Sequence, residues 1–324
     1  MFNTIIGKDI SSAKSFLEKG EPVGIPTETV YGLAANALND DAVLKIFSVK
    51  NRPHFDPLIV HTHSKNEIGK YVEEIPALAQ KLVDAFMPGP ITVLLKKKSI
   101  IPDLVTSGLD NVAIRIPDHS LTLELLKQLD FPLAAPSANP FGYISPTTAQ
   151  HVFDQLQGKI PYILDGGATN VGVESTIVGF ENDEPDCRQA SPVVYRLGGL
   201  AIEEIERVVG KVRLSLNESS NPKSPGMLKS HYAPKKRLVI GESDDWLIGN
   251  KGVIAFDKYV EGIEKQNQIL LSPSGNLNEA AKNLFAAMRK LDAGDVDEII
   301  AVKFPDEGLG RAINDRLKRA SSAH

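Results

Sequence analysis

From Asp9 to Val209, short apolar runs of strand length alternate with amphipathic helical segments, and this alternation limits the fold more than any other feature of the chain. Strand-like runs are PVGIP, LIVH, ITVLLKK, NVAIRI, PLAAP, YILDGG, STIVGF and PVVYRLG. Between them, helical spacing of apolar residues covers Asp9–Lys19, Asp40–Val49, Ile75–Phe86, Ser120–Leu129, PTTAQHVFDQL and Ile202–Val209. Strands and helices mixed this closely predict one α/β domain with a mixed sheet. Ser120 is expected to cap its helix.

The pattern breaks after Gly210. SLNESSNPKSPGMLKSHYAPKK is polar, lacks periodicity and reads as a linker. A smaller β/α pattern follows, with strands RLVI, GVIAF, QILLS and EIIAVKF and helices over Leu277–Asp292 and Leu309–Ala320. The expected division is 1–210, a linker over 211–235, and a small Rossmann-like α/β unit over 236–324. That second unit has no nucleotide fingerprint: GLGRAI at Gly308 has Ile where a third glycine belongs.

The formal net charge of −5 argues against a partner held by non-specific phosphate contacts. The one cysteine, Cys187, excludes an internal disulfide and a cysteine-rich metal site. Neither a signal peptide nor an apolar run near the ~20 residues of a membrane span is present, so the expected setting is cytoplasmic.

Against this acidic background, KNRPHFDPLIVH holds Lys50 and Arg52 on a stretch stiffened by Pro53 and Pro57. The two cations either sit in solvent and favour the C-terminal dipole of the preceding helix, or they bind phosphate. The prolines favour the second reading, because they lower the entropy lost in holding the cations still. His61 and His63 share one side of a strand. A metal pair is the weaker reading, since no third ligand is evident, and a single His61 facing a substrate is the stronger one. PTETVYGL places Thr29 at a strand-to-loop junction, where hydroxyls often only satisfy a turn. In APSANPFGYISPTT, Ser137 and Asn139 share a side, and Ser145 either caps a helix or belongs to an anion site at its start. Arg115 in VAIRIP and Arg196 in VVYRLGG are lone charges on apolar strands. Each needs an anion, from the protein or from a ligand. GGATNVGVESTIV has a permissive backbone that delivers Ser175 and Thr176 onto a strand. No Walker-type GxxxxGK[ST] and no HExxH occurs.

Together, PTETVYGL, KNRPHFDPLIVH, PGPITVLLK, VAIRIPDH, APSANPFGYISPT, GVESTIV and YRLGG resemble, in this order, the threonylcarbamoyl-AMP synthase family, the YrdC-like enzymes of tRNA modification. SPGMLKSHYAPKKRL and EGLGRAINDRLKRA resemble the linker and C-terminal domain of the family's long form. The resemblance implies a YrdC-like twisted mixed sheet with helices, and synthesis of threonylcarbamoyl-AMP and pyrophosphate from L-threonine, bicarbonate and ATP. A separate transferase complex would pass the product to an adenosine of tRNA, with direct tRNA contact at most transient. By similarity, Thr29, His61, Arg115, Ser175 and the backbone near Ala135 would surround L-threonine. Lys50 and Arg52 would contact the ATP phosphates as the catalytic pair. Ser137, Asn139, Ser145 and, more weakly, Asn111 would line the nucleotide side. Arg196 would close over the nucleotide, and His231 or Tyr232 would return across the cleft as part of a lid. Mg²⁺ would accompany ATP, held mainly by phosphate and water. The main competing reading is an RNA-binding or regulatory module of the same fold. Carbamoyl transfer of the hydrogenase-maturation kind fits poorly with a single cysteine.

Overall fold

The computed structural model describes residues 1–181, 191–216, 231–241 and 249–322. Cys187 and the linker stretch 217–230, including SPGMLK, lie outside the described residues.

The strands of the first unit are β1 (Ile5–Gly7), β2 (Val23–Ile25), β3 (Gly32–Asn36), β4 (Ile59–His61), β5 (Ile91–Lys96), β6 (Asn111–Arg115), β7 (Leu133–Ala134), β8 (Tyr162–Leu164), β9 (Thr176–Glu181), β10 (Ser191–Arg196) and β11 (Arg213–Leu214). They form one sheet in the order β1-β8-β2-β3-β7-β4-β6-β5-β9-β10-β11. The sheet is mixed, as expected: β4 runs parallel to β6, for example, and β6 antiparallel to β5. Helices α1 (Ile10–Glu18), α2 (Asp40–Lys50), α3 (Lys65–Ile68), α4 (Ala77–Phe86), α5 (Asp103–Thr106), α6 (Ser120–Lys127), α7 (Ala149–Leu156) and α8 (Ile202–Val209) accompany it.

The structure departs from the sequence reading at several points. The stretch after PTET does not stay a loop: Gly32–Asn36 becomes β3, antiparallel to β2. Helix α7 is capped by Thr148, whose hydroxyl accepts from the His151 amide. Ser145 is therefore free for another bond. At α6, His119 holds the N-cap position and makes no side-chain cap bond, so Ser120 is the first helical residue and not the cap. Edge strand β1 carries too few residues to show a period. β11 pairs with β10, so the first sheet continues past Gly210 into the stretch read as linker.

The second unit has strands β12 (Arg237–Gly241), β13 (Lys251–Ala255), β14 (Gln268–Leu270) and β15 (Glu298–Val302), in the order β12-β15-β13-β14. Every pair is parallel. Helices α9 (Leu277–Ala293) and α10 (Gly310–Ser321) pack with this sheet, giving the small Rossmann-like arrangement expected.

The two units share packing. Val30, Ile144, Val173 and Tyr232 are buried in the same apolar cluster as Leu284, Phe285 and Ile313 of the second unit. At Gly172, with φ +81°, an added Cβ would collide with the backbone of Ala281 and Lys282 in α9. Only glycine permits that approach. Across the first unit, Gly198 lies equally close to the backbone of Glu174 and Ser175.

Candidate active site

Register puts the first site residues side by side. His61 ends β4 and Arg115 ends β6, and the two are direct neighbours in the parallel pair. Arg196 ends β10 beyond a bulge between Val194 and Arg196, and bulges re-aim the side chains that follow them. The Pro136–Asn139 segment leaves β7 and is bridged to Gly32 at Ser137. These ends surround a cavity lined by Thr27, Arg52, His61, Arg115, Ala135, Ser137, Glu174, Arg196, His231 and Tyr232, with apolar Val30, Pro57, Ile59 and Pro136 between them. The cavity volume is about 50 Å³. It is a narrow cleft.

Each buried cation of the cleft has a protein partner. The guanidinium of Arg115 donates through Nη2 to Glu28 Oε1 at 2.7 Å and to Thr29 Oγ1 at 2.9 Å. Its Nε is buried and has no hydrogen-bond partner among the described residues. A buried donor left open is costly and fits a ligand oxygen. Thr29 is fully buried and holds Arg115; Thr27, two residues earlier, reaches the cleft wall. Ser175 plays the same supporting part for Arg196, which donates to Ser175 O and Oγ, both at 3.0 Å. Thr29 and Ser175, both expected beside L-threonine, hold the two arginines of the cleft.

Asn51 caps α2 in the left-handed conformation, with φ 52°, and turns the chain back. Arg52 then stitches its own loop: it donates to Asp56 O at 3.1 Å and Pro57 O at 2.9 Å, and pairs with Asp56 Oδ2 at 2.8 Å. The segment is therefore stiff from these bonds as well as from its prolines. Lys50, expected at the ATP phosphates, is held by backbone carbonyls. Its Nζ donates to Ser137 O and Asn139 O, both at 2.5 Å, and the side chain is not in the cleft wall. Burial first, and the charge of Arg52 second, push its amine well below the usual lysine range. Lys50 clamps the Ser137–Asn139 segment. Asn139 is fully buried: its Nδ2 donates to Pro140 O and Tyr143 O, while its Oδ1 has no partner among the described residues.

Burial, and then the Arg115 charge, push His61 down to about 3, so its ring is neutral at neutral pH. Its Nδ1 lies 3.1 Å from Ile59 O, which can only accept, so Nδ1 carries the proton. His63 lines a separate hollow with Glu67 and Tyr71, so the two histidines do not act as a pair. His231 and Tyr232 line the cleft. The His231 ring meets Phe141 edge-on at 5.8 Å, and its buried Nδ1 has no partner among the described residues. Tyr232, at φ 65°, stacks on Phe285 of the second unit at 5.5 Å.

Ser145 donates to Glu174 Oε1 at 2.6 Å, and Glu174 Oε2 accepts from Arg316 of α10 at 2.9 Å. Asn111 is not brought here. It begins β6, four residues before Arg115, is exposed, and borders another hollow with Leu94 and Tyr195. At ~3.3 Å per residue it stands roughly 13 Å from Arg115 along the strand.

Sequence reading missed the anionic partners Glu28, Asp56 and Glu174, and the second-unit cation Arg316. A signal was available for Glu28, since Arg115 required a carboxylate and PTETVYGL carries one, and for Asp56 and Glu174, which stand in KNRPHFDPLIVH and GVESTIV. Among the described residues no group of three or more His, Cys, Asp or Glu stands together. The carboxylates near the cleft are taken by arginines, so Mg²⁺ would have to be held by a ligand's own oxygens and water. Chemically, the cleft offers a neutral imidazole, an open Arg115 donor and further guanidiniums in a desolvated setting. That suits positioning of an anionic substrate with charge stabilisation.

Known proteins share the sequence and the fold. A family model described as telomere recombination (Sua5, YciO and YrdC) matches residues 15–196, and one described as the threonylcarbamoyl-AMP synthase C-terminal domain matches residues 200–322. The chain is 39% identical to a threonylcarbamoyl-AMP synthase of Pyrococcus abyssi, over 96% of this chain and 94% of that one. It is also 39% identical to one of Bacillus subtilis, over 96% and 92%. The crystal structure of P. abyssi Sua5 complexed with L-threonine superposes with a TM-score of 0.87 at 38% identity, covering 99% of this chain and 97% of the other.

Proposed function

The chain belongs to the threonylcarbamoyl-AMP synthase family, and on that premise we propose that it condenses L-threonine, bicarbonate and ATP into threonylcarbamoyl-AMP with release of pyrophosphate. The observation that carries the reading is the open Nε of Arg115, buried beside the neutral ring of His61. It is the right group in the right setting for an amino-acid carboxylate, and a relative of the same architecture binds L-threonine.

The threonine amine attacks the carbon of bicarbonate. A C–N bond forms, a C–O bond breaks, and water leaves with the amine proton, giving the carbamate. A carbamate oxygen then attacks the α-phosphorus of ATP, and the bond to the β-phosphate oxygen breaks as pyrophosphate departs. No protein nucleophile and no change of oxidation state is needed. The chain's own contribution is orientation and charge. Arg115 and His61 hold the amino acid, and the methyl of Ala135 with Ile59 and Pro57 keeps water from the reacting carbamate. Arg52 and Arg196, beside Ser137, face the phosphates, while Lys50 and Asn139 hold the backbone that carries Ser137. Mg²⁺, as the proposed companion of ATP, would be held by the triphosphate oxygens and water and would supply charge neutralisation there. The product is destined for a tRNA-modifying transferase in the cytoplasm.

The test is pyrophosphate release by purified protein with L-threonine or bicarbonate omitted in turn. The expected result is release that needs both, with threonine preferred to serine. Release that ignores both, or none from folded protein, overturns the reading.

A further inference from the structure

Arg316 is completely buried, although it comes from α10 of the second unit. Its Nε donates to Glu174 Oε2 at 2.9 Å and its Nη2 to Leu197 O at 2.8 Å, one residue past Arg196. Its Nη1 pairs with Asp315 at 2.6 Å, and the guanidinium lies 4.9 Å from the centre of the Tyr232 ring. One side chain thus touches two residues of the cleft wall, Glu174 and Tyr232, and the residue that follows a third, Arg196. A buried ion pair of this kind adds little stability compared with a well-packed apolar substitute, so stability alone does not account for it.

We infer that Arg316 is a positioning residue for the synthase reaction: from the second unit it fixes Glu174, through Glu174 it fixes Ser145, and it seats Tyr232 against the cleft. This rests on the function proposed above. Four groups face Glu174: Arg316 from α10, Arg196 from β10, the Ser145 hydroxyl and Tyr232. Burial pushes the Glu174 carboxyl up, but the charges of Arg316 and then Arg196, with the Ser145 bond, bring it below its usual value. As a carboxylate it accepts from Ser145 and carries the charge that faces Arg196. With a proton on it, that charge is gone and one oxygen turns from acceptor to donor.

Removing Arg316 takes away the largest opposing charge and leaves the burial. Arg316→Met is therefore expected to give kcat/KM for ATP a new acid limb that the wild type lacks. Because misplacement of a substrate by about 1 Å costs up to roughly a hundredfold, a fall of at least about tenfold in kcat/KM at neutral pH is expected. Arg316→Lys keeps the charge and should keep the wild-type pH profile. The double variant Glu174→Gln, Arg316→Met removes both charges. It should lose the acid limb yet keep a raised KM for ATP, and it serves where Arg316→Met does not fold. A folded Arg316→Met with wild-type kinetics and pH profile overturns the inference. So does a loss that follows melting temperature alone, or a double variant with wild-type KM and kcat. A wild-type chain that makes no threonylcarbamoyl-AMP overturns the functional reading, and this inference with it; an active wild type with any of the preceding results overturns the inference alone.

Discussion

Arg115→Lys is the substitution that most directly tests how the amino acid is read. Arg115 is 4% exposed and spends one nitrogen, Nη2, on Glu28 and Thr29, leaving Nε open. A lysine keeps a cation beside Glu28, so the buried carboxylate is not abandoned. Abandoning it, as in Arg115→Met, would cost roughly 3–5 kcal/mol of folding stability. What lysine cannot keep is the planar fork that serves Glu28, Thr29 and a ligand together. The loss is one hydrogen bond to a charged group, about 1.5–3 kcal/mol. L-threonine should therefore bind about ten- to a hundredfold more weakly. Calorimetric titration measures this directly, with a thermal melt to establish that the variant is folded. L-threoninol, which has the side chain and amine but no carboxylate, should bind wild type and variant alike. An L-threonine affinity within about twofold of wild type, or an equal loss for L-threoninol, would refute the assignment.

Two further outcomes are expected. Because the folded chain holds His61 at about 3 while the unfolded chain takes up its proton near 6.5, this residue's share of stability is complete above 6.5 and is lost as pH falls from 6.5 toward 3. At ~1.4 kcal/mol per pH unit, the loss at pH 5 is about 2 kcal/mol. His61→Asn should flatten the stability profile by that amount in denaturant titrations; an unchanged slope refutes it. Asn111→Ala, at the far end of β6, should leave kcat/KM within about twofold of wild type, as surface changes usually do, and a large loss of ATP affinity would return Asn111 to the site.

The elements visible in the sequence were those whose local chemistry and tertiary burial agree. NVAIRI and ITVLLK are β-branched and buried as strands, and Leu277–Ala293 keeps a helical stripe through Ala280, Leu284, Met288 and Leu291. β3 escaped because GLAAN has no alternation: it is buried on both faces. At the site, the positive residues were legible because a lone charge in an apolar strand demands explanation. Their roles were less so. Lys50 and Arg52 look equivalent in the sequence, yet Asn51 in the left-handed conformation sends one under the Ser137 segment and the other into its own loop. Glu174 and Arg316 are separated by 142 residues, and no local pattern joins them.

The glycine at 172 has a mechanical consequence. Its amide donates to Thr29 O at 3.1 Å, and its bare α-carbon rests on the backbone of α9. The loop that carries Glu174 and Ser175 is thus gripped from both sides and has no slack of its own. It behaves as a fixed wall, against which the Arg52, Ser137 and His231 side of the cleft is measured.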